Sequence, residues 1–263
     1  MPNTLALPGL RRLIYLRDLL RELVMRDLKA QYKNSILGVA WSLLNPLLQL
    51  LVFTFLFRVV MPLGIPNYGT FAFSGLLAWS WFQLSLMQAT GAITAHRELI
   101  RRPGFPAAIL PAITVTTNLI NLLLALPLLL IFILCSGGEI TFGLAALPVV
   151  MALQFMLILG LAYLLATANV LFRDTQHLVG FFLQMLFWLT PVFYLGSRVP
   201  GKYQTLYQLN PMLHIVEAYR DLLIYQRMPS GLTMLILTAV SAGVLALGYI
   251  VFSRARDRLV EEL

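Results

Sequence analysis

Residues 26–46 read RDLKAQYKNSILGVAWSLLNP and contain the boundary on which the fold depends. The first half is charged, whereas the part after Asn34-Ser35 is apolar and continues to Met61 with Arg58 as its single charge. An amphipathic segment therefore leads directly into a stretch long enough to span a bilayer, which needs about 20 apolar residues. Lys and Arg beside a first span tend to hold that end in the cytoplasm, so this junction predicts the orientation of the whole chain.

The segment before this boundary, residues 10–33, has the pattern of an amphipathic helix. Leucines recur at helical spacing on one face and charged residues occupy the opposite face, although Asp27 interrupts the apolar stripe. Because the span follows without a linker, we expect this helix to lie in the membrane interface. The alternative is a helix whose apolar face packs on a protein partner.

The composition is that of a membrane protein. Of the 263 residues, 59% are hydrophobic and 11% are charged, whereas a soluble domain has about 25% charged residues. The net charge of +8 comes from basic residues beside apolar spans, which indicates contact with anionic lipid and control of topology rather than nucleic-acid binding. The single cysteine, Cys135, excludes an intrachain disulfide and a cysteine-based metal cluster.

The apolar runs predict an all-α integral membrane protein with one transmembrane domain over residues 1–263. The predicted spans are residues 36–61, 70–95, 107–135, 142–172, 178–195 and 232–252. Six spans put both termini on one side, and a cytoplasmic location for them places 14 of the 19 Lys and Arg residues inside. The aromatic stretch 197–225 suits short helices at the outer interface, and Asn210-Pro211 predicts a boundary between two of them.

The sequence predicts no catalytic or metal site. His96, His177 and His214 lie in separate segments, whereas a metal site needs convergent ligands. One stretch approaches the phosphate-loop pattern, but Tyr203 replaces the Mg²⁺-binding Ser or Thr and Pro200 removes a backbone N–H group. No acidic residue lies well inside a predicted span, which argues against an ion-coupled carrier.

Three stretches resemble the transmembrane subunit of ABC polysaccharide exporters, the permeases for O-antigen, teichoic acid and capsule. They are RDLKAQYKNSILGVAWSLLNPLLQ at 26–49, RELIRRPGFP at 97–106 and NPMLHIVEAYRDLL at 210–223, and the resemblance covers nearly the whole chain. It implies a transport subunit without a cofactor of its own, a homodimer, and two copies of a separate cytoplasmic ATPase that binds ATP and Mg²⁺. It also implies short re-entrant helices on the outer side over residues 197–225.

The resemblance assigns two sets of site residues. Those expected to contact the ATPase lie in the N-terminal helix and in the loop 96–106: Arg26, Lys29, Tyr32, Lys33, His96, Arg97, Glu98, Arg101, Arg102 and Phe105. Those expected to line the cargo path lie in the first and fifth spans: Trp41, Phe53, Phe57, Phe187, Trp188 and Tyr194. The alternatives are topology anchoring for the two loop arginines and packing or an interfacial belt for the aromatic residues.

The expected function is the membrane half of an ATP-driven exporter in the bacterial inner membrane, which moves a lipid-linked polysaccharide out of the cytoplasm. One alternative is an ABC permease for another lipid or a drug. Another is a membrane-embedded transferase acting on a lipid carrier, for which Arg173, Asp174 and His177 form a sparse candidate site.

At helical spacing, Glu217 is expected to pair locally with Arg220 and Asp221.

Overall fold

The computed structural model describes residues 9–33, 40–102, 104–139 and 142–261, and every regular element in those ranges is helical. The α-helices are α1 (Gly9–Tyr32), α2 (Ala40–Phe55), α3 (Tyr68–Ala95), α4 (Arg97–Ile100), α5 (Ile109–Cys135), α6 (Leu147–Leu171), α7 (Thr175–Leu189), α8 (Gly201–Gln208), α9 (Pro211–Leu223) and α10 (Gly231–Glu261). A π-helical turn, Leu56–Val60, extends α2, and 3₁₀ turns precede α6 and α8 at Phe142–Ala146 and Gly196–Arg198. The prediction of an all-α chain is confirmed for this part of the protein.

Within the described ranges, four helical stretches are long and apolar enough to cross a membrane. They are Leu43–Val60, Ile109–Cys135, Gly143–Leu171 and Gly231–Ala255. Helix α7 has 15 residues and ends at Leu189, six residues before the predicted end of the fifth span. The helix stops there because Pro191 disfavours the helical conformation at Thr190, which is extended.

Helix α3 lies at the centre of the bundle, where it packs against α2, α5, α6, α7 and α9. The side chains of Phe71 and Trp79 are almost completely buried, and so is that of Thr90. From α6, the buried Gln154 donates a hydrogen bond of 2.8 Å to the carbonyl oxygen of Ala78. A helix surrounded by other helices can hold polar residues that bond within the helix, as Thr90 does to the carbonyl oxygen of Leu86, or across to a neighbour, as Trp81 does to that of Val115.

Helices α6 and α10 approach so closely that their backbones are in contact. A Cβ atom added at Gly160 would lie 2.6 Å from the carbonyl oxygen of Val244, and one added at Gly248 would meet the carbonyl oxygen of Gly160. Small residues permit such approaches between membrane helices, whose association depends on packing rather than on burial from water. Gly160 and Gly248 therefore set the distance between α6 and α10.

Replacing Gly248 with leucine is expected to push α6 and α10 apart and to lower the midpoint of thermal unfolding in detergent, since overpacking costs about 1–3 kcal/mol. Gly243→Leu in the same helix is the matched control, because a Cβ atom there meets no other atom within 4 Å. Equal midpoints for the two variants would show that the close approach does not stabilise the fold.

Candidate functional site

An apolar cluster fixes α1 against the bundle. Val24 of α1 is 3% exposed and packs in the same cluster as Ile100 of α4, Ile113 of α5 and Phe252 of α10. Leu13, nearer the start of α1, is exposed. The second half of the apolar face is thus buried by the chain itself, and the first half remains available to lipid.

The charged face of α1 is open. Arg26 and Lys29 are exposed, and so is Lys33 just after the helix. Tyr32 is the last residue of α1, and its side chain lies outside the part of the protein that the structure describes. The positive charges predicted for ATPase contact are therefore on the side of α1 that faces away from the cluster.

The loop after α3 is folded around the short helix α4. His96 Nδ1 forms a hydrogen bond of 2.9 Å with the carbonyl oxygen of Ala92, Ile100 is buried, and Phe105 is partly buried against the same cluster as α1. The charged residues of the loop are exposed: Arg97, Glu98, Arg101 and Arg102. We call these four residues, together with Arg26, Lys29 and Lys33, the basic surface.

Four of the six aromatic residues predicted for the cargo path come together. Phe53 lies 6.2 Å from Phe57, 6.3 Å from Phe187 and 6.4 Å from Trp188 between ring centroids. At their centre is Phe193, which the prediction omitted and which stacks on Phe53 at 3.7 Å. Phe187 is buried, whereas Trp188 is 51% exposed, so Trp188 presents the most open ring of this aromatic cluster.

The other two predicted residues lie outside the aromatic cluster. Trp41 lines a separate groove between α2, α3 and α5. Tyr194 donates a hydrogen bond of 2.9 Å to the carbonyl oxygen of Trp188 and accepts one of 2.6 Å from the hydroxyl of Tyr207. The Tyr194 hydroxyl is thus engaged in fixing the segment after α7.

A buried arginine holds the turn that follows α7. Arg220 of α9 is 3% exposed, and its Nη1 and Nη2 donate hydrogen bonds to the carbonyl oxygens of Pro191, at 2.6 Å, and Val192, at 2.7 Å. Its guanidinium carbon lies 3.6 Å from the centroid of the Phe71 ring. Burial lowers the pKa of Arg220, which is outside the candidate spans, to about 10. The side chain therefore stays charged at neutral pH.

Asn210 fastens the start of α9 to the end of α7. Its Nδ2 donates a hydrogen bond of 2.9 Å to Thr190 Oγ1, and its Oδ1 accepts one of 3.0 Å from the backbone N–H of Met212. The second bond is an N-cap, which satisfies a helix donor that has no partner within the helix. Pro211 follows as the first helical residue, where its missing N–H is tolerated.

The expected local pairing of Glu217 with Arg220 and Asp221 is wrong. Arg220 donates to backbone carbonyls, while Asp221 Oδ1 pairs with Arg227 at 2.7 Å. The reason is the register of α9: Arg220 lies four residues after the buried Val216 and shares its face, whereas Glu217 is exposed. The sequence therefore contained a signal that Arg220 is buried, since its position four residues after Val216 places it on the apolar face of α9.

Sequence comparison identifies the family. The model for ABC-2 type transporters matches residues 18–224. The chain belongs to the ABC-2 type transporter family. The match begins within α1 and ends just after α9, so it includes the basic surface, the aromatic cluster and Arg220.

Relatives of known description align along most of the ABC-2 chain. The O-antigen export system permease protein RfbA of Myxococcus xanthus is 39% identical over 255 residues, which covers 96% of this chain and 98% of the relative. An RfbA of Klebsiella pneumoniae is 31% identical over 209 residues, or 79% and 81% of the two chains. The polysialic acid transport protein KpsM of Escherichia coli is 22% identical over 243 residues, or 90% and 93%. The family predicted from three sequence stretches is confirmed.

Membership of the ABC-2 family makes the chain a transport subunit, and the alternative of a membrane-embedded transferase is wrong. Arg173, Asp174 and His177 are all exposed near the start of α7. Among the described residues, no group of three or more His, Cys, Asp and Glu side chains could hold a metal ion.

Replacing Arg220 of the ABC-2 chain with lysine is expected to destabilise the protein by about 2 kcal/mol. A lysine lacks the planar fork with which Arg220 bonds two carbonyl groups while stacking on Phe71. Thermal unfolding in detergent measures the change, and Arg227→Lys is the control because its exposed ion pair with Asp221 tolerates either cation. An unfolding midpoint equal to that of the wild type would contradict the role of the guanidinium.

Proposed function

We propose that this ABC-2 permease is the membrane subunit of an ATP-driven exporter that moves a lipid-linked polysaccharide of the O-antigen type from the cytoplasm across the bacterial inner membrane. The observation that carries the proposal is the 39% identity to an O-antigen export permease over 96% of this chain and 98% of the relative. Sugars rich in hydroxyl groups cannot cross hydrocarbon unsolvated, because each unsatisfied polar group costs several kcal/mol. A protein path is therefore required.

The proposed topology has six spans, with both termini in the cytoplasm. The spans are formed by α2 with its π-helical turn, α3, α5, α6, α7 and α10, while α8 and α9 lie on the outer side. The distribution of Lys and Arg supports this orientation, since 14 of the 19 fall in the proposed inner segments. Helix α3 needs no fully apolar surface in this arrangement because other helices enclose it.

The proposed assembly contains two copies of this chain and two copies of a separate ATPase, which would bind the ATP and Mg²⁺. We place the pairing between copies at α2 and α7, whose exposed side chains include Leu48, Leu51 and Phe55 on α2, and Phe181, Phe182 and Met185 on α7. Both helices also contribute to the aromatic cluster, so a path between two copies would pass the open ring of Trp188.

The basic surface is the proposed contact with the ATPase. It combines the charged face of α1 with the exposed residues of α4 and the two arginines that follow α4, and both helices rest on one apolar cluster. A push on α4 would therefore be transmitted to α1 and α5 through packed side chains rather than through a free loop.

The double variant Arg101→Glu/Arg102→Glu is expected to reduce co-purification of the ATPase at least about tenfold, because reversing rim charges weakens association while membrane insertion stays intact. Quantitative pull-down from detergent-solubilised membranes measures the loss. The control is Lys202→Glu, an exposed charge on the proposed outer side. An unchanged yield of ATPase with the double variant would remove the two arginines from the contact.

Deletion of the gene tests the function itself. We expect the deletion strain to lose its surface polysaccharide and to accumulate the lipid-linked form inside, and we expect the wild-type gene to restore export. Tagged wild-type protein from native membranes should carry a roughly stoichiometric cytoplasmic ATPase. Normal surface polysaccharide in the deletion strain would overturn the proposal, and export of a drug or another lipid alone would indicate a different cargo.

A further inference from the structure

Helices α2, α3 and α5 enclose a groove of about 620 Å³. Carboxamide side chains from all three helices line it: Asn45, Gln49, Gln83, Gln88, Asn118 and Asn121. Asn45 and Gln49 lie within the candidate span of α2, and Asn118 and Asn121 within that of α5. Polar side chains are uncommon in membrane spans, and those that occur face the protein interior or a water-filled cavity. A set of amides this dense therefore indicates a polar cavity between the helices.

Two of these amides have no partner in the fold that is described. Asn45 and Gln49 are exposed, and neither side chain forms a hydrogen bond with the described part of the chain. Gln88 and Asn118 bond each other at 2.8 Å, yet an amide has two donors and an acceptor with two lone pairs, so capacity remains. A ligand that uses this capacity would both donate and accept hydrogen bonds.

The charge of the lining defines the class of ligand. Among the described residues that line the groove, none is charged. Phosphate groups are bound by Arg, Lys or helix N-termini, and metal cations by carboxylates, so neither fits this lining. Hydroxyl groups donate and accept at once and carry no charge, as the amides do. The groove is thus suited to an uncharged, hydroxyl-rich molecule.

An indole ring adds a flat apolar surface. Trp41 lines the groove and is 45% exposed, so its face can pack against the C–H face of a sugar ring. Trp81 also lines the groove but is buried and donates a hydrogen bond of 3.2 Å to the carbonyl oxygen of Val115. The first tryptophan is free to contact a ligand, whereas the second holds α3 to α5.

The groove continues to the side of the bundle where α1 lies. A second cavity of about 580 Å³, lined by polar residues that include Asp27 and Gln176, shares Gln31 and Gln88 with the groove. On α2, the spacing of Trp41, Asn45, Gln49 and Phe53 is four residues throughout, so they form one ridge, and Phe57 follows four residues later in the π-helical turn. That ridge leads from the amide groove to the aromatic cluster.

We infer that the groove between α2, α3 and α5 binds the neutral sugar residues of the cargo, with Asn45 and Gln49 as hydrogen-bonding groups and Trp41 as a stacking surface. The inference rests on the proposed function. It divides the cargo path into an amide-lined part toward α1 and an aromatic part beyond Gln49.

The test uses the deletion strain complemented with Asn45→Leu/Gln49→Leu. Leucine is close in size to both amides and favours membrane insertion, so the protein is expected in normal amount with its ATPase bound. Surface polysaccharide should fall at least about tenfold, because two hydrogen-bonding groups are lost. The exchange Asn45→Gln/Gln49→Asn should retain most export, and Gln204→Leu, on an exposed face of α8, should retain all of it.

A photoreactive residue reports contact directly. Leu84 lines the groove and is 48% exposed, so a photoreactive amino acid in its place should cross-link to lipid-linked polysaccharide in whole cells. Leu235 of α10 is 68% exposed but lies outside the groove, so the same substitution there should give no such cross-link. Cross-linking at Leu84 to a second copy of the permease or to phospholipid alone would overturn the inference.

The two proposals fail in different ways. If the wild-type gene restores export and the leucine variant matches it, the groove does not bind sugar, while the proposed function stands. If the wild-type gene fails to restore export, the proposed function is itself overturned, and the inference that the groove binds sugar is overturned with it.

Discussion

The fold depends on one buried charge-assisted contact, from the guanidinium of Arg220 to the carbonyl oxygens of Pro191 and Val192. Helix α7 stops at Leu189, which leaves backbone carbonyls without helical partners among apolar helices. Buried backbone carbonyl groups without partners are costly, so other protein groups must satisfy them. Pro191 ends α7. The contact with α9 then fixes the segment that follows, and with it the placement of Phe193 at the centre of the aromatic cluster.

The polar residues of the long helices also need hydrogen-bond partners inside the bundle. On α3, Gln83 accepts a hydrogen bond of 2.8 Å from Trp79 Nε1, and Thr90 donates one of 2.6 Å to the carbonyl oxygen of Leu86. These groups are satisfied within the helix. Asn45 and Gln49 on α2 form no hydrogen bond with the described part of the chain, which distinguishes them from the amides that stabilise the fold.

Much of the fold could be predicted because it depends on local pattern. The apolar runs located the helices, and the residue types at 26–49, 97–106 and 210–223 located the family. The pairing of Glu217 could not be predicted correctly, because Arg220 is engaged by the segment after α7. The end of α7 at Leu189, in contrast, follows from Pro191, a signal that is present in the sequence. Trp41 and Phe53 occur in one helix, and only the neighbours α3, α5 and α7 assign them to different surroundings.

The contact between Gly160 and Gly248 also limits how the molecule can move. With no side chain between the two backbones, any sliding of α10 along α6 would bring main-chain atoms into collision. The position of α10 relative to α6 is therefore fixed by contact between the two backbones. Helix α2 is held instead through side chains, among them Leu50 and Phe53, rather than through contact between backbones. A relative shift would therefore meet less steric resistance at α2, beside the groove and the aromatic cluster, than between α6 and α10.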